Sequence, residues 1–406
     1  MTAWYDKAIF YHMYPLGMTG APFANPYPVS DGTADGTRDV SSDSRMDELM
    51  QWIPYLESLH ISAIYIGPLF ESSTHGYDTR DFRLIDRRLG TNVSFRSFVD
   101  CCHEHGIRVV VDGVFNHTGR EFFAFRDLQA HRDQSPYAGW YRNVNFGWGS
   151  PLGDSFGYES WHGIWELPCL NHRNPEVRNY LLDTVRFWVQ EFDIDGIRLD
   201  CAGDLSFEFM QELRRLANEI KPEFWLMGEV IHGEYARWVN PQMLHSVTNY
   251  EMHKSIYSAH NDHNYFELAH NVRRLEAVGR DLYTFVDNHD EDRIASKLLN
   301  PAHLAPLYTL LFTLPGIRPS IMEVNGAFRD AADTTLIRNS VRESCRRDRL
   351  QKKCRPATDK TPASAQMATA RAFRAPQAQT YTQAQTPAAR PLQAPQAQTQ
   401  IPAQAP

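Results

Sequence analysis

The 406-residue sequence has no apolar run approaching the roughly 20 residues that a membrane-spanning helix needs. Its start shows no basic leader followed by an apolar stretch, so no secretory signal is expected. The six cysteines (Cys101, Cys102, Cys169, Cys201, Cys345, Cys354) show no metal-ligand spacing, and two are adjacent. They are read as reduced thiols of a cytoplasmic protein, not as a disulfide framework. Basic residues are scarce over most of the chain. Lys and Arg number 41 against 49 Asp and Glu, and 14 of the 41, with only 6 acids, lie in 317–406. Residues 1–316 are therefore strongly acidic, which argues against nucleic acid or an anionic membrane surface as a partner. No Gly-rich phosphate loop, nucleotide fingerprint or zinc spacing appears, so no organic cofactor is expected.

What is present is a globular composition, 42% hydrophobic and 12% aromatic. All nine Trp lie in the first 316 residues, and the last Gly is Gly326. Beyond about Pro356 the chain turns Ala/Gln/Pro/Thr-rich, and Ala-Pro-Gln-Ala-Gln-Thr occurs twice. Such a tail has too little apolar surface to offset its ordering entropy and is read as disordered. In the body, apolar runs at Ala8–Tyr14, Ala63–Ile66, Val109–Val114, Gly196–Leu199, Trp225–Gly228, Ser246–Thr248 and Leu282–Val286 alternate with amphipathic stretches. These stretches are Met46–Leu59, Val93–His105, Asn174–Phe192, Phe207–Ile220 and Tyr265–Val278. Strand alternating with helix implies a parallel sheet, and seven units with the start of an eighth imply an α/β fold, the (β/α)₈ TIM barrel. The long interval after the third strand reads as a small inserted domain. The division is then 1–116 for the first barrel part, 117–170 for the insertion, 171–320 for the second barrel part and 321–406 for the tail.

In such barrels, polar residues at the carboxyl ends of strands face the active site. The third strand closes on Asp112-Gly113-Val114-Phe115-Asn116-His117, the fourth on Arg198-Leu199-Asp200, the fifth on Glu229 and the seventh on Asp287-Asn288-His289-Asp290. Three carboxylates, Asp200, Glu229 and Asp290, thus converge on one mouth with two His and one Arg. Glycoside hydrolysis wants this set: one ionised carboxylate as nucleophile and one protonated carboxyl as acid, then base. Arg198, two residues before Asp200 on the same strand face, suits keeping the nucleophile charged. Glu229 suits the proton.

These residues resemble the α-amylase family, from about residue 5 to residue 317. Its four short signatures match Asp112–His117, Gly196–Asp200, Glu229 and Phe285–Asp290, and a fifth is similar to Leu167-Pro168-Cys169-Leu170-Asn171. The resemblance implies Asp200 as nucleophile, Glu229 as acid/base and Asp290 as a third carboxylate gripping sugar hydroxyls. It implies Arg198, His117 and His289 around the reacting glucose, Tyr77 stacked on it, and an α-glucan oligosaccharide as substrate. The insertion matches the family's domain B. The run Asp200-Cys201-Ala202-Gly203-Asp204 lacks the Lys-His of polymer-cutting amylases. This points to the neopullulanase, cyclomaltodextrinase and maltogenic amylase branch. The implied activity is retaining cleavage of α-1,4-glucosidic bonds. A transglycosylase or isomerase of the same fold, or an inactive truncated pseudoenzyme that only binds sugar, is the alternative. Asn116 matches a residue that binds Ca²⁺ in many members, so Ca²⁺ is a possible ion, with no ligand set assigned. After Gly316-Ile317 the resemblance stops, which implies an eighth unit that is incomplete, its strand at most Gly316–Ile321 with Arg318 and Pro319 inside it.

Four Trp of the insertion, Trp140, Trp148, Trp161 and Trp165, suit sugar stacking and packing equally well. His12, His103 and His105 read as structural. Asp31–Gly36 reads as a surface turn, since the Glu that closes a calcium loop is missing.

Overall fold

A computed structural model describes residues 3–26 and 44–314 and the backbone of Ser320–Met322. The tail, the turn at Asp31–Gly36 and the residues after the eighth strand lie outside the described residues.

The strands are β1 (Phe10–Met13), β2 (Ala63–Ile66), β3 (Phe70–Ser72), β4 (Thr79–Ile85), β5 (Arg108–Gly113), β6 (Ser160–Trp161), β7 (Ile164–Pro168), β8 (Gly196–Leu199), β9 (Trp225–Gly228), β10 (Ser246–Val247) and β11 (Ser320–Met322). Seven of them form one parallel sheet in the order β10-β9-β8-β5-β2-β1-β11. The runs read from sequence become its strands because parallel strands are buried on both faces. Their side chains are therefore mostly apolar without alternation: β1, β2, β8 and β9 are buried at every position, His12 and Arg198 included.

The sheet closes on itself. Three strands, β8, β5 and β2, separate β1 from β9 only along the curve, since the Phe10 and Trp225 rings lie 4.8 Å apart. Tyr283 completes the group, 5.4 Å from Phe10 and 6.2 Å from Trp225. With Ala8, Ala63, Tyr65, Val110, Met227 and Phe285 these rings fill the interior, separate from the larger core between sheet and helices. This is the (β/α)₈ barrel, a packed core and not a pore.

Two strand expectations are corrected. Leu282–Val286 is not a continuous strand. It lies beside β10 through Tyr283, whose N–H donates to the Val247 carbonyl and whose carbonyl accepts from Asn249, and it forms isolated bridges. The eighth strand is described over Ser320–Met322, paired with Phe10–His12 of β1, and so runs one residue beyond the expected Ile321.

The covering helices carry their own signals. Pro175–Phe192 starts on Asn174, whose side chain accepts from the Glu176 N–H, with Pro at its first position. Phe207–Ile220 starts on Ser206, which accepts from Phe209. Asn92–Glu104 has a capping box of Thr91 and Ser94. The expected helix Met46–Leu59 is two, Arg45–Met50 and Ile53–Ser58, because Pro54 has no N–H to carry the helix across. A helix not foreseen, Tyr250–Asp262, buries His253, Ser255 and His260 beside its apolar residues. Between β5 and the helix Pro175–Phe192 lie a helix, Phe123–His131, and the antiparallel hairpin β6–β7.

Of the described cysteines, Cys102, Cys169 and Cys201 are free thiols, in line with the sequence reading. Cys101 is disulfide-bonded and departs from it.

Candidate active site

Arg198, on β8, is the centre of the site. It is buried, and its guanidinium reaches three carboxylates from three strand ends. Nη1 donates to both oxygens of Asp112 (2.9 and 3.1 Å) and to Oδ1 of Asp200 (2.8 Å). Nη2 lies 2.8 Å from Oε1 of Glu229. The strand register explains the convergence. Asp112 of β5 lies opposite Arg198, and Arg198 opposite Met227 of β9, two residues before Glu229. Two backbone bonds continue the ladder beyond the strands, Asp200 N–H to Gly113 and Glu229 N–H to Leu199.

Phenols tie the carboxylates down. Tyr65 and Tyr77 donate to Oδ2 of Asp112 at 2.9 and 3.1 Å. Tyr250 donates to Oε1 of Glu229 at 3.2 Å and receives a bond from Asn288. The Tyr77 hydroxyl also meets Nε2 of His289 at 2.5 Å, and the His289 ring stacks with Tyr77 and Tyr14. Asp290, with 55% of its side chain exposed, sits at the rim with Oδ2 3.2 Å from His289. His117 is buried, its ring 5.6 Å from Trp161.

One guanidinium cannot balance three buried carboxylates, so the ionisation of Asp200 and that of Glu229 oppose each other. Burial is the largest influence on Asp200 and, with Glu229 and Asp112, overrides Arg198 and raises it to about 8. Burial also works against ionised Glu229, but Arg198, the Cys201 N–H, His289 and Tyr250 outweigh it and hold that carboxyl low. Asp290 is pushed up to about 6, by removal from water at the mouth and then by Glu229. Burial holds His117 down to about 3 and His289 to about 4, so both imidazoles are neutral at neutral pH.

The structure thus brings Asp200, Glu229, Arg198, Tyr77 and His289 into one hydrogen-bonded cluster, with Asp290 at its rim. His117 joins Asp200 and Cys201 in a group whose ligand-type atoms lie within 4.8 Å of one another. Of the four Trp, Trp161 reaches the site and donates to Asp204 at 3.0 Å. Trp140 is packed in the insertion against Tyr137 and Tyr180. Trp148 lies over Gly157, and Trp165 against Tyr158. Sequence reasoning gave no role to Asp112, Tyr65, Tyr250 or Cys201. Asp112 stood inside a quoted signature, and its place opposite Arg198 was the available signal. The phenols come from a strand interior and a helix start, where nothing in the pattern marks them.

Calcium does not fit at Asn116. Its Oδ1 accepts from the Arg142 guanidinium at 3.2 Å, and its Nδ2 faces His117. A cationic side chain holds the oxygen an ion would need. His117, Asp200 and Cys201 offer N, O and S donors, not the all-oxygen shell that calcium takes.

The model of the α-amylase catalytic domain matches residues 27–323. The chain belongs to the α-amylase family. Relatives of this family include a cyclomaltodextrinase of Thermoanaerobacter pseudethanolicus, 31% identical over 77% of this chain and 56% of its own length. A maltogenic α-amylase of Bacillus acidopullulyticus is 32% identical over 77% of this chain and 55% of its own. The chain thus spans little more than half the length of these curated relatives. Among solved structures, the cyclic α-maltosyl-(1→6)-maltose hydrolase of Arthrobacter globiformis superposes with a TM-score of 0.67 at 25% identity, over 85% of this chain and 83% of that one. The two curated relatives carry the names of the cyclomaltodextrinase and maltogenic amylase branch to which the missing Lys-His pointed. Among the described residues no helix of this family member is long and apolar enough to cross a membrane.

Proposed function

We propose that the chain cleaves α-1,4-glucosidic bonds of maltooligosaccharides, cyclodextrins or related α-glucans with retention of configuration, in the cytoplasm. The observation that carries this is Arg198 holding Asp200 and Glu229 at 2.8 Å each, a nucleophile and an acid around one buried charge. The names of the relatives support the substrate class, and an intracellular maltogenic amylase of Bacillus subtilis supports the compartment. Residues 1–116 and 171–320 form the barrel parts in this reading, and 117–170 the inserted domain B.

Asp200 attacks the anomeric carbon while Glu229 gives its proton to the departing glycosidic oxygen. The C–O bond breaks and a glucosyl ester forms on Asp200. Glu229, now ionised, takes a proton from water, which attacks the same carbon and frees Asp200. Burial and its neighbours favour the protonated form of Asp200 and the ionised form of Glu229, whereas the reaction needs the reverse. Positive charge developing on the sugar ring favours ionised Asp200 and so selects the productive arrangement. Tyr77 offers a ring face to the glucose. Neutral His117 and His289 offer uncharged donors to its hydroxyls, and Asp290 accepts from them.

Maltotriose and β-cyclodextrin are the test substrates. Proton NMR of the first product is expected to show the α-anomer, and a β-anomer appearing first overturns the mechanism. Asp200→Asn and Glu229→Gln are each expected to lower turnover by about 10²–10⁴ or more while the fold is kept. Near-normal turnover of either contradicts the assignment. Products longer than maltotriose would show that a sugar, not water, intercepts the ester.

A further inference from the structure

Among the contacts of the described residues, Cys201 is the uncharged residue that bonds to both Asp200 and Glu229. Its Sγ lies 3.1 Å from Oδ2 of Asp200, the oxygen that Arg198 does not hold. Its backbone N–H donates to Oε2 of Glu229 at 3.2 Å, again the oxygen that Arg198 leaves. Both bonds depend on an unusual backbone. Cys201 has φ 47° and ψ 42°, a left-handed conformation in which a side chain is crowded, and such residues gather at active sites. The turn is fixed from both sides. The Asp204 N–H donates to the Cys201 carbonyl, and the Gly203 N–H donates to the Glu229 carbonyl. A Cβ on Gly228 would come within 2.7 Å of Ala202, so the turn is seated closely on the strand end that carries Glu229.

Resting on the reading of Asp200 and Glu229 as nucleophile and acid, we propose that Cys201 is a positioning residue for these two carboxyls: its S–H favours ionised Asp200, and its N–H orients Glu229. The thiol acts as a donor because burial, with Asp200 and Glu229 beside it, pushes its ionisation far above the working range. The charged and titratable groups facing the pair are Arg198 and Asp112 on the strand side, Tyr250 and His289 against Glu229, Asp290 at the rim, and His117 near Asp200. Cys201 bonds directly to Asp200 Oδ2 and can be replaced without altering a formal charge at neutral pH.

The form of the pH dependence follows. With Glu229 the stronger acid of the pair, the active arrangement is the minor one. The acidic limb of kcat/KM then reports Glu229, the alkaline limb reports Asp200, and the plateau reports the ratio between them. Removing the S–H raises Asp200 alone. In the full chain, Cys201→Ala is expected to move the alkaline limb upward by roughly half to one pH unit. The plateau should fall by the matching factor, roughly three- to tenfold, with the acidic limb unmoved. Cys201→Ser restores the donor and is expected to restore both. Cys201→Gly suits the left-handed backbone, lacks the thiol, and is expected to reproduce the Ala profile with no loss of melting temperature. A plateau that falls in Ala with no limb movement shows a merely structural role and overturns the proposal, as does failure of Ser to restore the limb.

A second readout needs no turnover, so that failure of the glucan-cleavage reading is told apart from failure of this one. The ¹³C carboxyl resonance of Asp200, assigned by its absence in Asp200→Asn, is expected to titrate at higher pH in Cys201→Ala than in wild type and Cys201→Ser. Identical titrations in all three overturn it.

Discussion

At the scale of single residues, the site is short of positive charge. Arg198 faces Asp112, Asp200 and Glu229, all buried, and no second cation bonds to them among the contacts described. Asp200 is therefore held in place at a cost in stability. Its folded ionisation is raised from 3.8 to about 8. A raised folded value means that stability is fully present below the unfolded value and is lost as pH rises through the folded one. Asp200→Asn removes this loss and leaves Arg198 paired with Asp112 and Glu229. The variant is expected to melt higher than wild type, with a gap that widens from about pH 4 to about pH 8 and then levels. A gap that narrows with rising pH, measured by calorimetry, contradicts the balance of charges described for the site.

At the scale of elements, function rests on how closely strand ends approach one another. Gly228 ends β9, one residue before Glu229. A methyl there would come within 2.5 Å of Leu244 and 2.7 Å of Ala202. Gly228→Ala is expected to destabilise by roughly 1–3 kcal/mol, the usual scale of overpacking. It should also lower kcat more than it raises KM, since it displaces Glu229 and the turn at Cys201 together. Melting and steady-state kinetics on the same preparation check both parts.

This is also the scale at which the sequence was most readable. Ala63–Ile66, Gly196–Leu199 and Trp225–Gly228 fall on strands residue for residue because parallel burial leaves short, mostly apolar runs, broken in these three only by Arg198. The acids were readable because they close those runs. The helix Tyr250–Asp262 was not, since its buried face is partly histidine and serine and breaks the expected periodicity. Leu282–Val286 is as apolar as the true strands, yet it pairs through isolated bridges. Pairing depends on neighbours that a local pattern does not contain. Tyr250 and Cys201 illustrate the same limit at the site: a phenol from a helix start and a backbone N–H have no signature in residue type.

At the scale of the whole molecule, buried neutral histidines bear on pH stability. His172 donates from Nε2 to the Phe115 carbonyl at 2.9 Å and lies flat on Phe209. Burial lowers it from 6.5 to about 4. Between these values the unfolded chain binds a proton that the folded chain does not, so stability falls as pH drops through that window. Asp200, Asp287 and Asp290 are raised and act in the opposite sense, which makes a paired comparison the proper measurement. His172→Gln keeps a donor for Phe115. Relative to wild type it is expected to gain stability steadily from pH 6.5 down to about 4, by on the order of 3 kcal/mol at the end. Denaturant titrations at pH 7.5, 5.5 and 4.5 check the slope, and a constant difference across them contradicts it.

The aromatic filling of the barrel has a bearing on traffic. Phe10, Trp225 and Tyr283 fill the interior, so among the described residues the mouth is the doorway to the carboxylates. Whatever reaches Asp200 and whatever leaves it must use that doorway in turn. In the proposed reaction the sugar cut away has to clear the entrance before water can approach the glucosyl ester. A second sugar arriving at that moment stands where water would come through. Whether the product is shortened or lengthened is then decided at the doorway, by which molecule enters first.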